Sequence, residues 1–179
     1  SQPEPWLGTA YLRMAQSQGE LKQWKELLAT LEQLKKRFPK FEGMNIAEYH
    51  AGRALQNLAR FDESREAYRR GVAGRLDENA AMCQFMIGET FFHQKRYQEA
   101  LREYLKVEIL YAIPQWQAGA LLEAGKCHES LNEWSRAAET YSRILDKYPK
   151  TTHAAEAVER RAAALQKVTA SSSKGKGTP

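Results

Sequence analysis

An aromatic residue recurs in this chain at nearly constant spacing, and this recurrence constrains the fold more than any other feature. The four residues are Trp24, Phe61, Tyr97 and Trp134, separated by 37, 36 and 37 residues. A period of about 20 to 50 residues is typical of solenoids, in which each unit buries its apolar face only against its neighbours. The spacing therefore predicts stacked helical hairpins, with function on the stacked surface and not in a catalytic pocket.

Two further columns keep the same register. A glycine stands nine residues before the aromatic residue and a tyrosine seven residues after it: Gly52, Gly88 and Gly125, then Tyr68, Tyr104 and Tyr141. In the first unit, Ala15 occupies the glycine column without any insertion, whereas Gly8 would require one. We prefer the gapless register, with a stripe of Trp24, Leu27, Leu31 and Leu34 on the second helix.

Each unit divides into two amphipathic helices joined by a short turn before the aromatic residue. The predicted pairs are 44–58 with 61–75, 80–94 with 97–111, and 115–131 with 134–148. Asp77 is a candidate N-cap, and Pro149 ends the last of these helices because the residue before a proline disfavours the helical conformation. A capping helix is predicted at 152–168, followed by a disordered tail at 169–179.

The composition excludes several classes of function. The net charge is +5, and Lys174 and Lys176 supply two of these charges. Acidic and basic residues alternate along the remainder, so no nucleic-acid partner is expected. No apolar run is long enough to span a membrane, and no signal peptide is visible, since no basic segment followed by an apolar one precedes Trp6. Cys83 and Cys127 are expected to be buried free thiols.

No catalytic or metal-binding motif is present in the sequence. The four histidines, His50, His93, His128 and His153, fall on different helices, and neither HExxH nor a phosphate-binding glycine motif occurs. His93 and His128 lie near hairpin turns, where surface or packing roles are expected. We therefore predict no catalytic residues, no metal and no cofactor, and a chain that is not an enzyme.

These columns resemble the tetratricopeptide repeat (TPR). The fourth unit carries the pattern most fully, with Gly125, Trp134, Ala137, Tyr141 and Pro149. The third unit places Pro114 two residues late, and the second has Ser64 in place of alanine and lacks the proline. The resemblance covers residues 5–168. It implies an all-α, right-handed α-solenoid forming one domain over 1–168, with repeats near 8–41, 45–77, 81–114 and 118–149.

A narrower resemblance rests on the ending Tyr148-Pro149-Lys150-Thr151, with Phe38-Pro39 as a weaker copy. It is similar to the longer TPR units of bacterial cell-envelope proteins, such as the Tol-Pal-associated periplasmic protein and the outer-membrane assembly lipoprotein. Periplasm and cytoplasm both stay open as compartments.

In TPR arrays the first helix of each unit lines a concave groove, and the resemblance implies which residues point into it. The predicted partner-binding residues are Tyr49, Arg53, Met82, Phe85, Glu89, Phe92, Leu122 and Lys126. Ile46, Gln56 and Glu129 share these positions, as do Leu12 and Gln16 in the first unit. The clamp that grips chaperone carboxylate termini is not expected, because its positions carry Leu12, Gln16, His50, Met82 and Met86.

The predicted function is a non-catalytic scaffold that binds a peptide or partner protein in this groove, as part of a larger protein or complex. Two alternatives stay open. One is a self-associating structural module that uses Trp6 and Leu7, and the other is the regulatory TPR region of a larger enzyme.

Overall fold

The computed structural model describes residues 5–174, and within them the chain is all-α with no strand. Nine helices lie in this described range: α1 (Pro5–Glu20), α2 (Trp24–Arg37), α3 (Met44–Asn57), α4 (Phe61–Val72), α5 (Glu78–His93), α6 (Tyr97–Leu110), α7 (Pro114–Ser130), α8 (Trp134–Lys147) and α9 (Ala154–Lys174). The predicted fold class, an all-α array of helical hairpins, is confirmed.

The aromatic column marks the start of every second helix. Trp24, Phe61, Tyr97 and Trp134 are the first residues of α2, α4, α6 and α8. Two residues before each of them, the backbone is left-handed, with φ between 57° and 59° at Lys22, Ala59, Lys95 and Asn132. One residue in this conformation reverses the chain within a very short turn, and this is the physical basis of the repeated spacing.

Helix α4 ends earlier than predicted, at Val72 instead of near residue 75. Ala73 and Gly74 have φ values of 30° and 73°, and these left-handed residues stop the helix. The predicted N-cap of α5 is confirmed, because the backbone N–H of Ala80 donates to Oδ1 of Asp77 at 2.9 Å. This hydrogen bond, together with Arg75, lowers the pKa of Asp77.

The chain divides into two compact units, Ser1–Thr90 and Phe91–Pro179, with the boundary inside α5. Unit 1 contains α1 to α4 and most of α5. Unit 2 contains the end of α5 and α6 to α9. Each unit has its own set of hairpins and its own core.

In unit 1 the core supports the gapless register of the first repeat. Ala15 is fully buried in a cluster with Leu27, Leu31 and Leu34 of α2 and with the alanines of α3. In the next repeat, a Cβ added to Gly52 would lie 2.5 Å from the ring of Tyr68, which is itself fully buried. The glycine column therefore exists where a tyrosine ring packs directly on the first helix, and alanine suffices where Leu31 replaces that ring.

The core of unit 2 repeats this arrangement. The ring of Tyr141 lies so close to Gly125 that no side chain fits between them. Tyr141 is fully buried together with Leu121 and Ile144, and α9 contributes Ala157 and Ala164 to the same cluster. Helix α9 therefore completes the core of unit 2, which is the capping role predicted for it.

Helix α9 also extends further than predicted. It continues to Lys174, so the predicted disordered tail at 169–179 is wrong for residues 169–174. Residues 175–179 lie outside the described residues. Between residues 5 and 174, no helix is both long and apolar enough to cross a membrane.

Candidate partner-binding surface

Two of the predicted binding residues, Tyr49 and Arg53, lie one helical turn apart on α3 and contact each other. The guanidinium of Arg53 lies 6.0 Å from the centroid of the Tyr49 ring. The same ring makes a tilted contact with Tyr68 at 6.1 Å. Burial raises the pKa of Tyr49, and the neighbouring Arg53 partly opposes this effect. Both side chains are half-buried, so each is held in place and still presents a surface to solvent.

His50 and Gln16 lie beside this pair. Nε2 of Gln16 is 3.3 Å from Nε2 of His50, and since an amide nitrogen only donates, the imidazole nitrogen accepts and carries no proton. Burial, reinforced by the positive charge of Arg53, lowers the pKa of His50 to about 4, while Glu20 acts weakly in the opposite direction. His50 is therefore neutral at physiological pH. We call Gln16, Tyr49, His50 and Arg53 the Arg53 cluster.

Helix α5 supplies the other predicted residues of unit 1. Met82, Phe85 and Glu89 are each half-buried. The helix packs on α4 through Cys83, whose Sγ would lie 2.6 Å from a Cβ placed on Gly71. This close approach fixes the start of α5, and burial raises the pKa of the Cys83 thiol to about 12.

In unit 2 one predicted binding residue is buried. Leu122 is only 3% exposed and belongs to the same core cluster as Ala157 and Ala164 of α9. The prediction that Leu122 lines an accessible groove is therefore wrong, because this side chain is part of the unit 2 core. Phe92 is half-buried, and its ring makes an edge-on contact with Tyr97 at 5.3 Å, within its own hairpin.

Lys126 is half-buried within a network of ion pairs. Its Nζ lies 2.7 Å from Glu123 and 3.3 Å from Glu156. Arg160 of α9 also pairs with Glu156, at 2.8 Å, and reaches Glu129 at 3.0 Å. The hydrogen bond from Arg160 lowers the pKa of Glu156. We call these five residues the unit 2 network, and both of its cations have carboxylate partners.

The buried tyrosines connect the two cores to these surfaces. In unit 1 the hydroxyl of Tyr68 donates to Oε1 of Gln56 at 3.1 Å. In unit 2 the hydroxyl of Tyr141 donates to Oε1 of Glu129 at 2.8 Å. The same repeat position thus holds a neutral amide in one unit and a carboxylate in the other.

The contribution of α9 to the unit 2 network was not predicted from the sequence. Glu156 stands 37 residues after Gly119, so the repeat spacing places it in a first-helix position of a further repeat. Extending the register beyond Pro149 would have identified Glu156. No sequence signal indicates that Arg160 would join both Glu129 and Glu156.

The remaining histidines and cysteines are in structural positions. Nδ1 of His128 lies 2.6 Å from Glu133, which places this histidine at the turn between α7 and α8, and His93 is exposed. Cys83 and Cys127 are buried thiols outside any disulfide, as predicted. Within residues 5–174, no group of three or more potential ligands is arranged to hold a metal ion.

Several solved structures have a similar fold. RapI in its apo form has a TM-score of 0.76 at 14% identity, over 89% of this chain and 48% of RapI, so the chain spans about half the length of RapI. A tetratricopeptide repeat protein from Parabacteroides merdae has a TM-score of 0.71 at 12% identity, over 89% of this chain and 60% of that one. MamA from Desulfovibrio magneticus has a TM-score of 0.64 at 16% identity, over 99% of this chain and 100% of that one. At such identities, the likeness shows the fold alone.

Comparison with family models agrees with the repeats seen in the structure. No curated protein matches the sequence. Models of the tetratricopeptide repeat match residues 9–40, 49–115 and 119–151. These segments contain all four column aromatics and make up well over half of the chain, which therefore belongs to the tetratricopeptide repeat family.

Proposed function

We propose that this chain is a non-catalytic scaffold that binds a peptide or partner protein through the first helices of unit 1. Tetratricopeptide repeats generally mediate protein–protein interaction. One observation carries the proposal. Three residues before the small residue of each repeat, Leu12 and Leu122 are buried, at 7% and 3% exposure, whereas Tyr49 and Phe85 are only half-buried.

The chemistry of these side chains suits a peptide ligand. Tyrosine and phenylalanine offer large contact areas and lose little rotamer entropy on binding, and aromatic residues are enriched in protein interfaces. Met82 adds a flexible apolar contact on the same helix as Phe85. Arg53 and Glu89 add charge, which would orient a bound segment.

A peptide-display experiment tests this proposal and does not require the natural partner to be identified. A phage library of random dodecapeptides would be panned against the folded chain and against the Tyr49→Ala/Phe85→Ala variant. We expect the wild type to enrich related peptides, and the variant to bind them at least tenfold more weakly. Isothermal titration of a synthesised consensus peptide would measure this difference.

A matched control is available on surfaces outside the proposed site. Leu76 and Ile109 are 68% and 73% exposed, and their double alanine variant removes a comparable amount of apolar surface. It should bind the consensus peptide like the wild type. Equal loss in both double variants, or no loss in either, would contradict the proposed site. Circular dichroism would verify that all variants keep their helicity.

The alternative of self-association is favoured by Trp6, which is 61% exposed on α1. An exposed indole on α1 suits a contact with another chain. Sedimentation velocity at several concentrations would reveal a concentration-dependent species, and the Trp6→Ala variant should abolish it. A concentration-independent monomer would remove this alternative.

A place in the bacterial envelope, which the Tyr148-Pro149 ending supports, and a regulatory role within a larger enzyme are two further proposals. Fractionating the source cells into periplasm and cytoplasm, with detection by an antibody against this chain, tests the first. The size of the detected polypeptide tests the second.

A further inference from the structure

We propose that Arg53 receives a carboxylate of the bound segment, so that the partner of unit 1 is an acidic peptide. This inference rests on the proposed function of that surface and specifies the chemistry of the ligand. It follows from the pairing of charges in each unit and from the way Arg53 is held.

Arg53 has no carboxylate partner among residues 5–174, since no ion pair of the described chain includes it. It is half-buried beside Tyr49, with its guanidinium 6.0 Å from the centroid of the ring. Arg53 also acts on the Tyr49 side chain through a hydrogen bond, and since a guanidinium has five N–H donors, others remain for a ligand. A planar guanidinium held in this way is suited to bidentate binding of a carboxylate.

None of the described residues around Arg53 forms an ion pair with it. His50 is neutral and accepts a hydrogen bond from Gln16, and Gln56 accepts one from Tyr68. Glu20 is the carboxylate on α1 that acts on His50, and it is exposed. The low pKa of His50, caused by burial and by Arg53, is consistent with a positive potential at this point.

Unit 2 provides the internal contrast. Lys126 stands one residue after the glycine column, as Arg53 does, but it already pairs with Glu123 and Glu156. An incoming carboxylate would have to displace these partners. Arg53 requires no such exchange, so the expected acidic contact is on unit 1.

A peptide is favoured over a nucleic acid at this site. Nucleic-acid binding relies on several phosphate contacts made by clustered cations. The Arg53 cluster contains one cation, and it is surrounded by neutral polar and aromatic side chains. One carboxylate flanked by apolar residues matches this pattern better than a chain of phosphates does.

The first test determines which peptides the same library yields. The wild type should enrich peptides with Asp or Glu at a fixed distance from an apolar residue. Arg53→Gln should lose the acidic preference, and Arg53→Glu should select Lys or Arg at that position. Lys106→Gln, which removes a cation of unit 2 outside the predicted binding residues, should select the same peptides as the wild type. Enriched peptides without an acidic residue would overturn the inference and leave the proposed function intact.

The second test does not depend on the library. Triglutamate would be titrated into the protein while the His50 ring is followed by NMR, with trilysine as the control peptide. A carboxylate bound at Arg53 should raise the pKa of His50 above its value of about 4. Arg53→Gln should raise this pKa in the free protein, weaken triglutamate binding about tenfold and abolish the further rise. An unchanged His50 resonance in the wild type, or an equal response in Arg53→Gln, would overturn the inference.

Discussion

Unit 1 and unit 2 use the same repeat to build surfaces of opposite character. In unit 1 the residue after the glycine column is Arg53, which lies on an aromatic ring and has no ion pair within the described residues. In unit 2 that position is Lys126, which α9 closes into a network with Glu156 and Arg160. The repeat thus fixes where a side chain stands, whereas its neighbours decide whether it is available to a partner.

The comparison of unit 1 with unit 2 assumes that the same glycine–tyrosine packing supports both surfaces. The largest predicted effect tests this packing. Gly52→Ala and Gly125→Ala should each destabilise the fold by about 1–3 kcal/mol, because the new methyl group meets the buried ring of Tyr68 or Tyr141. Urea unfolding would measure the loss in free energy. A loss in one variant only would show that the two cores differ.

A second variant separates steric conflict from other causes. Gly52→Ala combined with Tyr68→Leu recreates the pair that Ala15 and Leu31 form in the first repeat. We expect the double variant to be more stable than the two single losses added together would allow. Strict additivity of the two losses would contradict a steric origin of the glycine column.

The neutrality of His50 in unit 1 predicts a pH dependence of stability. Its pKa is lowered in the folded state from 6.5 to about 4, so below pH 6.5 the unfolded chain binds a proton that the folded chain does not. Stability from this group should therefore fall as the pH decreases from about 6.5 towards 4. The loss at pH 5 should be on the order of 1 kcal/mol, reduced by partial solvent exposure.

The His50→Gln variant isolates the contribution of His50 to the pH dependence of stability. It keeps a polar side chain beside Gln16 but does not titrate. The difference in unfolding free energy between wild type and His50→Gln should change between pH 7 and pH 5. A difference that stays constant over this range would show that His50 is not held neutral.

The hairpin turns offer a smaller contrast between the units. Ala59 and Asn132 both adopt a left-handed conformation, with φ of 57° and 59°, but this conformation strains alanine more than asparagine. Ala59→Gly should stabilise the fold by about 0.5 kcal/mol, and Asn132→Gly should change stability little. Thermal unfolding of the two variants would measure both effects, and equal shifts would contradict the assignment of strain to Ala59.

Much of this fold is predictable because the repeat spacing carries local physical requirements. The start of each second helix at its aromatic residue follows from the period, and the burial of Tyr68 and Tyr141 follows from the glycine column. The end of α4 is not predictable in this way, because Ala73 gives no sequence signal for a left-handed residue. The length of α9 exceeds its prediction because serines and lysines near its end are typical of a tail.

The surface is less predictable than the core. The family resemblance places Tyr49, Arg53 and Phe85 on first helices, and their half-buried state fits that placement. The prediction for Leu122 is wrong because its burial depends on how the helices of unit 2 pack together, which the repeat spacing does not specify. The lack of an ion pair at Arg53 among the described residues depends on side-chain geometry, which the repeat spacing does not specify.

The smallest predicted effect tests whether Lys126 is ion-paired and Arg53 is not, which is the difference between the two units. Lys126→Gln breaks two partly exposed ion pairs and should cost about 0.5 kcal/mol at low salt, and less at high salt, where the pairs are screened. Arg53→Gln breaks no ion pair among the described residues, and the neighbouring His50 is neutral at pH 7, so its cost should be smaller and nearly independent of salt. Urea unfolding at two salt concentrations would measure both variants. If Arg53→Gln proved the more costly and the more salt-dependent of the two, Arg53 would have a carboxylate partner in solution. Its charge would then be paired within the chain, and no acidic ligand would be needed.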